Sequence, residues 1–187
     1  MNSGRVPWVL SSVVEQRLSL LLYGPPGSGK SLIALYMGSK AVEKGLSVCH
    51  FYTPPNKPRA VVEGVIYREV LDIAGLASNL LSASLGLCSF LIVDTINELY
   101  RLEPSMESAS MLAMAASAVR SSGGVATGVA SARDGDESTP GYSILEPYFH
   151  FIGRVYRLGG GFALELQKPY RKIFYLRRSA RGGVEWL

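Results

Sequence analysis

Apolar residues along the chain fall into short runs that alternate between two periods. Residues 17–23 (RLSLLLY) are an apolar run stopped by Gly24, the mark of a buried strand. Leu32, Leu35, Tyr36 and Val42 then recur at mostly helical spacing as far as Gly45, a helix stop. Residues 47–53 (SVCHFYT) predict a second strand, closed by the proline-rich TPPNKPR. Residues 60–86 read as helical, with interruptions at Gly64, Gly75 and Gly86. Residues 88–94 (CSFLIVD) are a continuous apolar run ending on an acid, as in a strand buried on both faces. The Ala- and Met-rich stretch 106–121 predicts a helix, 125–131 a strand, and ARDGDESTPGYS (132–143) a polar loop. After Tyr148 the period becomes two: FHFIGRVYRL, FALELQK and KIFYLRR are separated by GGG and KPYR, which predicts antiparallel strands with tight connections. The whole reads as an α/β chain with a mixed sheet, its parallel centre flanked by helices and its C-terminal strands antiparallel.

With 187 residues the chain fits one domain with a real core. It divides into a lead-in (1–15), the α/β body, a mobile loop (132–147) and basic antiparallel strands (148–187). Hydrophobic residues make up 48% and charged ones 18%, a globular composition. No apolar stretch approaches the ~20 residues of a membrane span and the N-terminus lacks signal-peptide character, so a soluble, cytoplasmic protein is expected. Cys49 and Cys88 cannot make a disulfide scaffold and read as small buried core residues. Charge is uneven. Residues 154–187 carry eight Lys/Arg against two Asp/Glu, whereas residues 1–153 carry 11 against 13. A basic end suits a polyanion partner, and equally a solvated face of edge strands.

GPPGSGKS (Gly24–Ser31) matches GxxxxGK[ST] in full, between a predicted strand and a predicted helix. Glycines there let backbone N–H groups turn inward around phosphate oxygens, and the helix N-terminus favours an anion. The expected nucleotide-binding set is Gly24, Pro25, Pro26, Gly27, Ser28, Gly29, Lys30, Ser31 and Leu32. Lys30 would reach the β- and γ-phosphates, and Ser31 would ligate Mg²⁺. Asp94, delivered to the carboxyl end of a buried strand, is the second expected metal-side residue, acting through water. His50 and His150 show no triad or metal pattern, and no nucleophile elbow is present.

The run FLIVDTINELYRLE (Phe90–Glu103) resembles the RecA/RadA recombinase superfamily, closest to its short RadB branch, in which an apolar strand ends in Asp-Ser/Thr and continues into a Leu-Tyr-Arg-Leu-Glu-like segment. GPPGSGKS and the late LGGG (Leu158–Gly161) followed by basic strands fit the same branch. The resemblance covers about Gln16 to Leu187, and includes neither an N-terminal DNA-binding domain nor a Phe-x-x-Ala filament linker. It implies a RecA-like P-loop NTPase core, ATP and Mg²⁺ as cofactors, and a role in DNA recombination and repair. The implied partners are DNA, taken as single-stranded, and a recombinase or other protein subunit. By position it implies DNA contacts from Arg101 and Arg133. The C-terminal cations Arg171, Lys172, Arg177 and Arg178, interleaved with Tyr170, Phe174 and Tyr175, have the better electrostatics for that task.

The chain departs from the family where chemistry is done. An acidic residue that polarises water should follow the second strand, and this chain reads Tyr52-Thr53-Pro54-Pro55-Asn56. Losing a general base costs a factor of about 10²–10⁴, so ATPase activity is expected to be slow or absent unless Glu63 or Glu69 substitutes. An Asn-Gln pair is replaced by residues 129–132 (VASA), and Asp134, Asp136 and Glu137 put repulsive charge beside Arg133. Two other classes remain: a non-catalytic ATP-dependent protein-interaction module, and a small-molecule P-loop kinase with Arg133 as its lid arginine.

Overall fold

The computed structural model describes residues 6–54, 56–58, 60–130, 139–179 and 184–187. Helix α1 (Trp8–Glu15) begins after Pro7 and buries Val9, Leu10, Val13 and Val14 on one stripe. The described part of the lead-in thus carries an amphipathic helix, a feature that its short and mixed pattern did not announce. Strand β1 (Ser19–Gly24) is buried throughout. Helix α2 (Lys30–Glu43) and strand β2 (Val48–Tyr52) follow.

Residues 60–86 are not one helix. Strand β3 (Val65–Glu69) comes first, and helix α3 (Ile73–Ser82) begins only at the N-cap Asp72, whose carboxylate accepts from the Gly75 N–H at 2.6 Å. Val65, Ile66 and Tyr67 suit a pleated strand. As an edge strand, however, β3 exposes much of its surface, so it lacks the apolar run that marks a buried one.

Strand β4 (Phe90–Asp94) is wholly buried and leads through a short helix α4 (Glu98–Leu102) to α5 (Met106–Ser122), which a reciprocal Ser105–Ser108 capping box starts. Strand β5 (Gly124–Val129) comes next. Within the segment expected as a mobile loop (132–147), residues 132–138 lie outside the described residues, and helix α6 (Tyr142–Leu145) forms and leads into a 3-10 turn (Glu146–Tyr148). Strands β6 (Phe151–Leu158), β7 (Gly161–Lys168), β8 (Lys172–Arg178) and β9 (Val184–Trp186) complete the chain.

The nine strands among the described residues join one sheet in the order β3-β2-β4-β5-β1-β6-β7-β8-β9. Pairings from β3 through β6 are parallel, and those from β6 to β9 antiparallel. The expected α/β architecture with a parallel centre and antiparallel C-terminal strands is therefore present. One apolar cluster fills the face beneath α3 and α5 (Leu76, Leu80, Leu112, Val119 against Leu21 and Leu91). A second fills the face beneath α1 and α2 (Val13, Ile33, Met37 against Leu20, Leu22 and Ile92). Leu20, Leu21 and Leu22 are fully buried, each stabilising by roughly 1.5–3 kcal/mol relative to exposure. The strand that carries the glycine loop is therefore firmly anchored.

Cys49 on β2 and Cys88 before β4 are buried in the core as expected, and the structure joins them as a disulfide, with Cα atoms 5.8 Å apart. No helix among the described residues is long and apolar enough to cross a membrane.

Candidate functional site

A cleft of about 260 Å³ opens at the carboxyl ends of the parallel strands, the end of an α/β sheet where ligands gather. Pro26, Gly27, Lys30 and Ser31 line it from the glycine loop and the start of α2, Asp94, Thr95, Glu98 and Arg101 from the end of β4 onward, and Asn56 and Val129 complete the lining. Gly24 closes β1 at φ +150°, and a Cβ there would sit 2.1 Å from the Val155 carbonyl oxygen. Only glycine permits that approach of β1 to β6. Gly29, at φ +97°, turns the chain into α2.

Lys30 is buried, and its ammonium donates to the Gly24 carbonyl at 2.9 Å, the Pro25 carbonyl at 2.8 Å and Ser28 Oγ at 3.4 Å. Burial pulls its pKa down to about 8, with the Asp94 carboxylate opposing. Asp94 is buried too, and its Oδ1 accepts from Thr127 Oγ1 at 2.5 Å. Thr127 comes from β5, the strand between β1 and β4, so sheet order alone brings it under the carboxylate. Thr53, Thr95 and Asn56 form a hydroxyl–amide network beside it: Asn56 Nδ2 donates to Thr95 Oγ1 at 3.1 Å and to Thr53 Oγ1 at 3.3 Å.

Asn97 ties down the neighbouring loop. Its Oδ1 accepts from the Val129 N–H at 3.0 Å, and its Nδ2 donates to Thr139 Oγ1 at 2.8 Å and to the Val129 and Pro140 carbonyls. One buried side chain therefore holds both ends of the segment between β5 and α6.

The expected residues separate into groups. Pro26, Gly27, Lys30, Ser31 and Asp94 converge on the cleft. Gly24, Pro25, Ser28 and Gly29 shape the loop beneath it, whereas Leu32 lies in the first turn of α2 and is not among the lining residues. Arg101, expected at DNA, lines the same cleft and pairs with Glu98 at 3.1 Å. Glu63 and Glu69 are exposed and line no part of the cleft. Arg133, with Asp134, Asp136 and Glu137, lies outside the described residues.

The C-terminal cations are largely engaged. Arg171 Nε donates to the buried Glu165 at 2.5 Å, and Arg177 grips Glu185 through two nitrogens at 2.9 and 3.1 Å. Lys172 lies 5.3 Å from the Phe174 ring centre, and Arg178 is exposed at the end of β8. Of the interleaved aromatics, Phe174 packs on the core, whereas Tyr170 and Tyr175 are exposed and Tyr170 stacks on Trp8.

Glu98, Thr127 and Asn97 escaped the sequence reading. Glu98 carries a detectable signal, since it stands four residues after a strand-ending acid, but only the turn into α4 aims it at the cleft. His50 is a further surprise. It is buried with neither ring nitrogen hydrogen-bonded, and burial lowers its pKa to about 4 against the opposing pull of Asp94.

Among the described residues no group of three or more His, Cys, Asp or Glu side chains could hold a metal ion by itself. Ser31 and Asp94 both line the cleft, and a hydroxyl with a single carboxylate would suit instead a cation that takes its other ligands from phosphate and water. No protein-family model matches the chain, and no curated protein matches it.

Proposed function

We propose that this protein binds ATP with Mg²⁺ in the cleft between the glycine loop and Asp94, and works as a RadB-like member of the RecA superfamily in DNA recombination and repair. The observation that carries this reading is the convergence of a complete GPPGSGKS loop, the buried ammonium of Lys30 and the carboxylate of Asp94 on one cleft. Loop N–H groups and the start of α2 would receive the phosphates. Lys30 would exchange its loop carbonyls for phosphate oxygens, and Ser31 and Asp94 would hold Mg²⁺, which supplies charge neutralisation between the β- and γ-phosphates. The RecA-like assignment and the DNA role rest on the Asp94–Glu103 run and the order of elements.

Titration calorimetry with ATP·Mg²⁺ tests the nucleotide step. Saturable binding is expected, weakened at least a hundredfold in Lys30→Ala, since a desolvated charge-assisted contact is lost. The absence of heat on folded wild-type protein overturns the reading. Asn56 at the cleft wall, where the family places an acid, favours a second reading: an ATP-dependent interaction module without turnover. Single-turnover hydrolysis separates the two.

A further inference from the structure

We infer that Glu98 is the general base for ATP hydrolysis in this protein, taking the place of the carboxylate missing after β2. The inference rests on the ATP·Mg²⁺ reading of the cleft and goes beyond it, because it assigns turnover to a site that otherwise looks non-catalytic. Among the described residues the cleft is lined by two carboxylates, Asp94 and Glu98. Their surroundings differ in the way that two separate roles require. Asp94 is 4% exposed, already accepts a 2.5 Å hydrogen bond from Thr127, and sits close enough to Lys30 to act on its ionisation. It is fixed in place and suited to holding a cation.

The Glu98 side chain is 24% exposed, so it meets both the cleft and bulk water. A base that must take a proton from water and then release it needs that access. Arg101 Nη1, one turn along α4, lies 3.1 Å from Glu98 Oε2 and lines the cleft with it. The remaining carboxylates considered for the task, Glu63 and Glu69, lie at the exposed edge around β3. Asn56, on the cleft wall, has an amide that cannot accept a proton at neutral pH.

In the step assigned to Glu98, a water oxygen forms a bond to the γ-phosphorus while the bond from that phosphorus to the β–γ bridging oxygen breaks. The bond's electron pair leaves on the β-phosphate of ADP, and the proton lost by the water passes to the Glu98 carboxylate and then to solvent. ATP and water give ADP and inorganic phosphate, and no further reactant is needed.

The test pairs nucleotide binding with single-turnover hydrolysis on the full chain, with a single-stranded oligonucleotide present and Lys30→Ala as the blank for contaminating ATPases. Glu98→Gln should bind a fluorescent ATP analogue with an affinity within threefold of wild type while hydrolysis falls by about 10²-fold or more. Glu98→Asp keeps the carboxylate on a shorter arm and should retain an intermediate rate, which guards against misreading a poorly folded Gln variant. Hydrolysis by Glu98→Gln at the wild-type rate overturns the inference. So does wild-type protein that binds ATP but cleaves none above the blank, an outcome that leaves the binding reading standing. Wild-type protein that binds no ATP removes both.

Discussion

Lys30 and Arg177 are cations on elements built around or into one sheet, and the protein treats them in opposite ways. Lys30 opens α2, which follows β1 in the parallel half, where helices cover both faces of the sheet. It has three oxygen partners from its own loop, and burial has taken its pKa down to about 8. Arg177 stands on β8 in the antiparallel half, exposed and gripped by Glu185 from β9, which raises its pKa. The first cation is held short of a strong anionic partner in a desolvated place, where a phosphate would interact strongly. The second already has its anion, in water, where ion pairs contribute little. A count of positive residues ranks the C-terminal strands as the main anion site of this chain. Burial and pairing rank the cleft ahead of them.

The comparison can be broken most severely through His50, which the parallel half buries against Tyr52 and Tyr67 without a hydrogen bond to either ring nitrogen. Its folded pKa of about 4 lies below the ordinary 6.5, so the unfolded chain binds the proton more tightly. Stability is therefore complete above pH 6.5 and declines as pH falls towards 4, by about 3 kcal/mol in total. Urea unfolding at pH 7, 5.5 and 4 should show this decline in wild type and a shallower one in His50→Phe. Equal declines would clear the parallel half of responsibility for acid sensitivity.

A smaller effect concerns Lys30 itself. Only its protonated form should bind a triphosphate well, so affinity is held below pH 8 and lost as pH rises through that value. Between pH 7 and pH 9 the loss should be about tenfold, with proton uptake on binding at pH 9, seen by calorimetry in two buffers of different ionisation enthalpy. An affinity flat over that range would place the ammonium in an ordinary environment.

The smallest effect is expected at the other end of the sheet. Arg177→Gln should change affinity for a single-stranded oligonucleotide by less than twofold, because Glu185 already holds both guanidinium nitrogens. Replacing Lys172 and Arg178 together by Gln should lower the slope of log affinity against log salt by about 1.4, the value for two phosphate contacts on single strands. An Arg177 effect as large as that of the pair would show that Glu185 releases it to DNA, and would restore the charge count as a guide.

Elements with a strong local signature were visible along the chain. Strand β4 is a continuous apolar run up to Asp94, and β1, β2 and β5 are mostly apolar, because both of their faces are covered, and α5 is rich in helix-forming Ala and Met. The elements that escaped lie where burial is partial. Strand β3 forms an exposed edge, α1 is a short helix whose stripe is mixed with serines, and α6 has four residues. Within the site the glycine loop and Asp94 were readable, because each depends on a neighbouring stretch: a loop between strand and helix, or an acid at a strand end.

The amino-acid order alone determined the buried elements β1, α2, β2, β4, α5 and β5, the change from parallel-type to antiparallel-type strands after Tyr148, and the phosphate-type loop at Gly24–Ser31. All three follow from interactions among residues close in sequence: hydrophobic period, turn chemistry and backbone freedom at glycine. Only the tertiary structure decided that Glu98 and Arg101 line one cleft with Lys30, that Thr127 supports Asp94, and that Glu165 and Glu185 occupy the C-terminal arginines. The cleft walls and the Thr127–Asp94 contact join residues far apart in the chain and depend on the order β3-β2-β4-β5-β1, while the arginine pairings depend on how the last strands meet. Periodicity sets which face a side chain takes, and pairing between strands sets what it meets there.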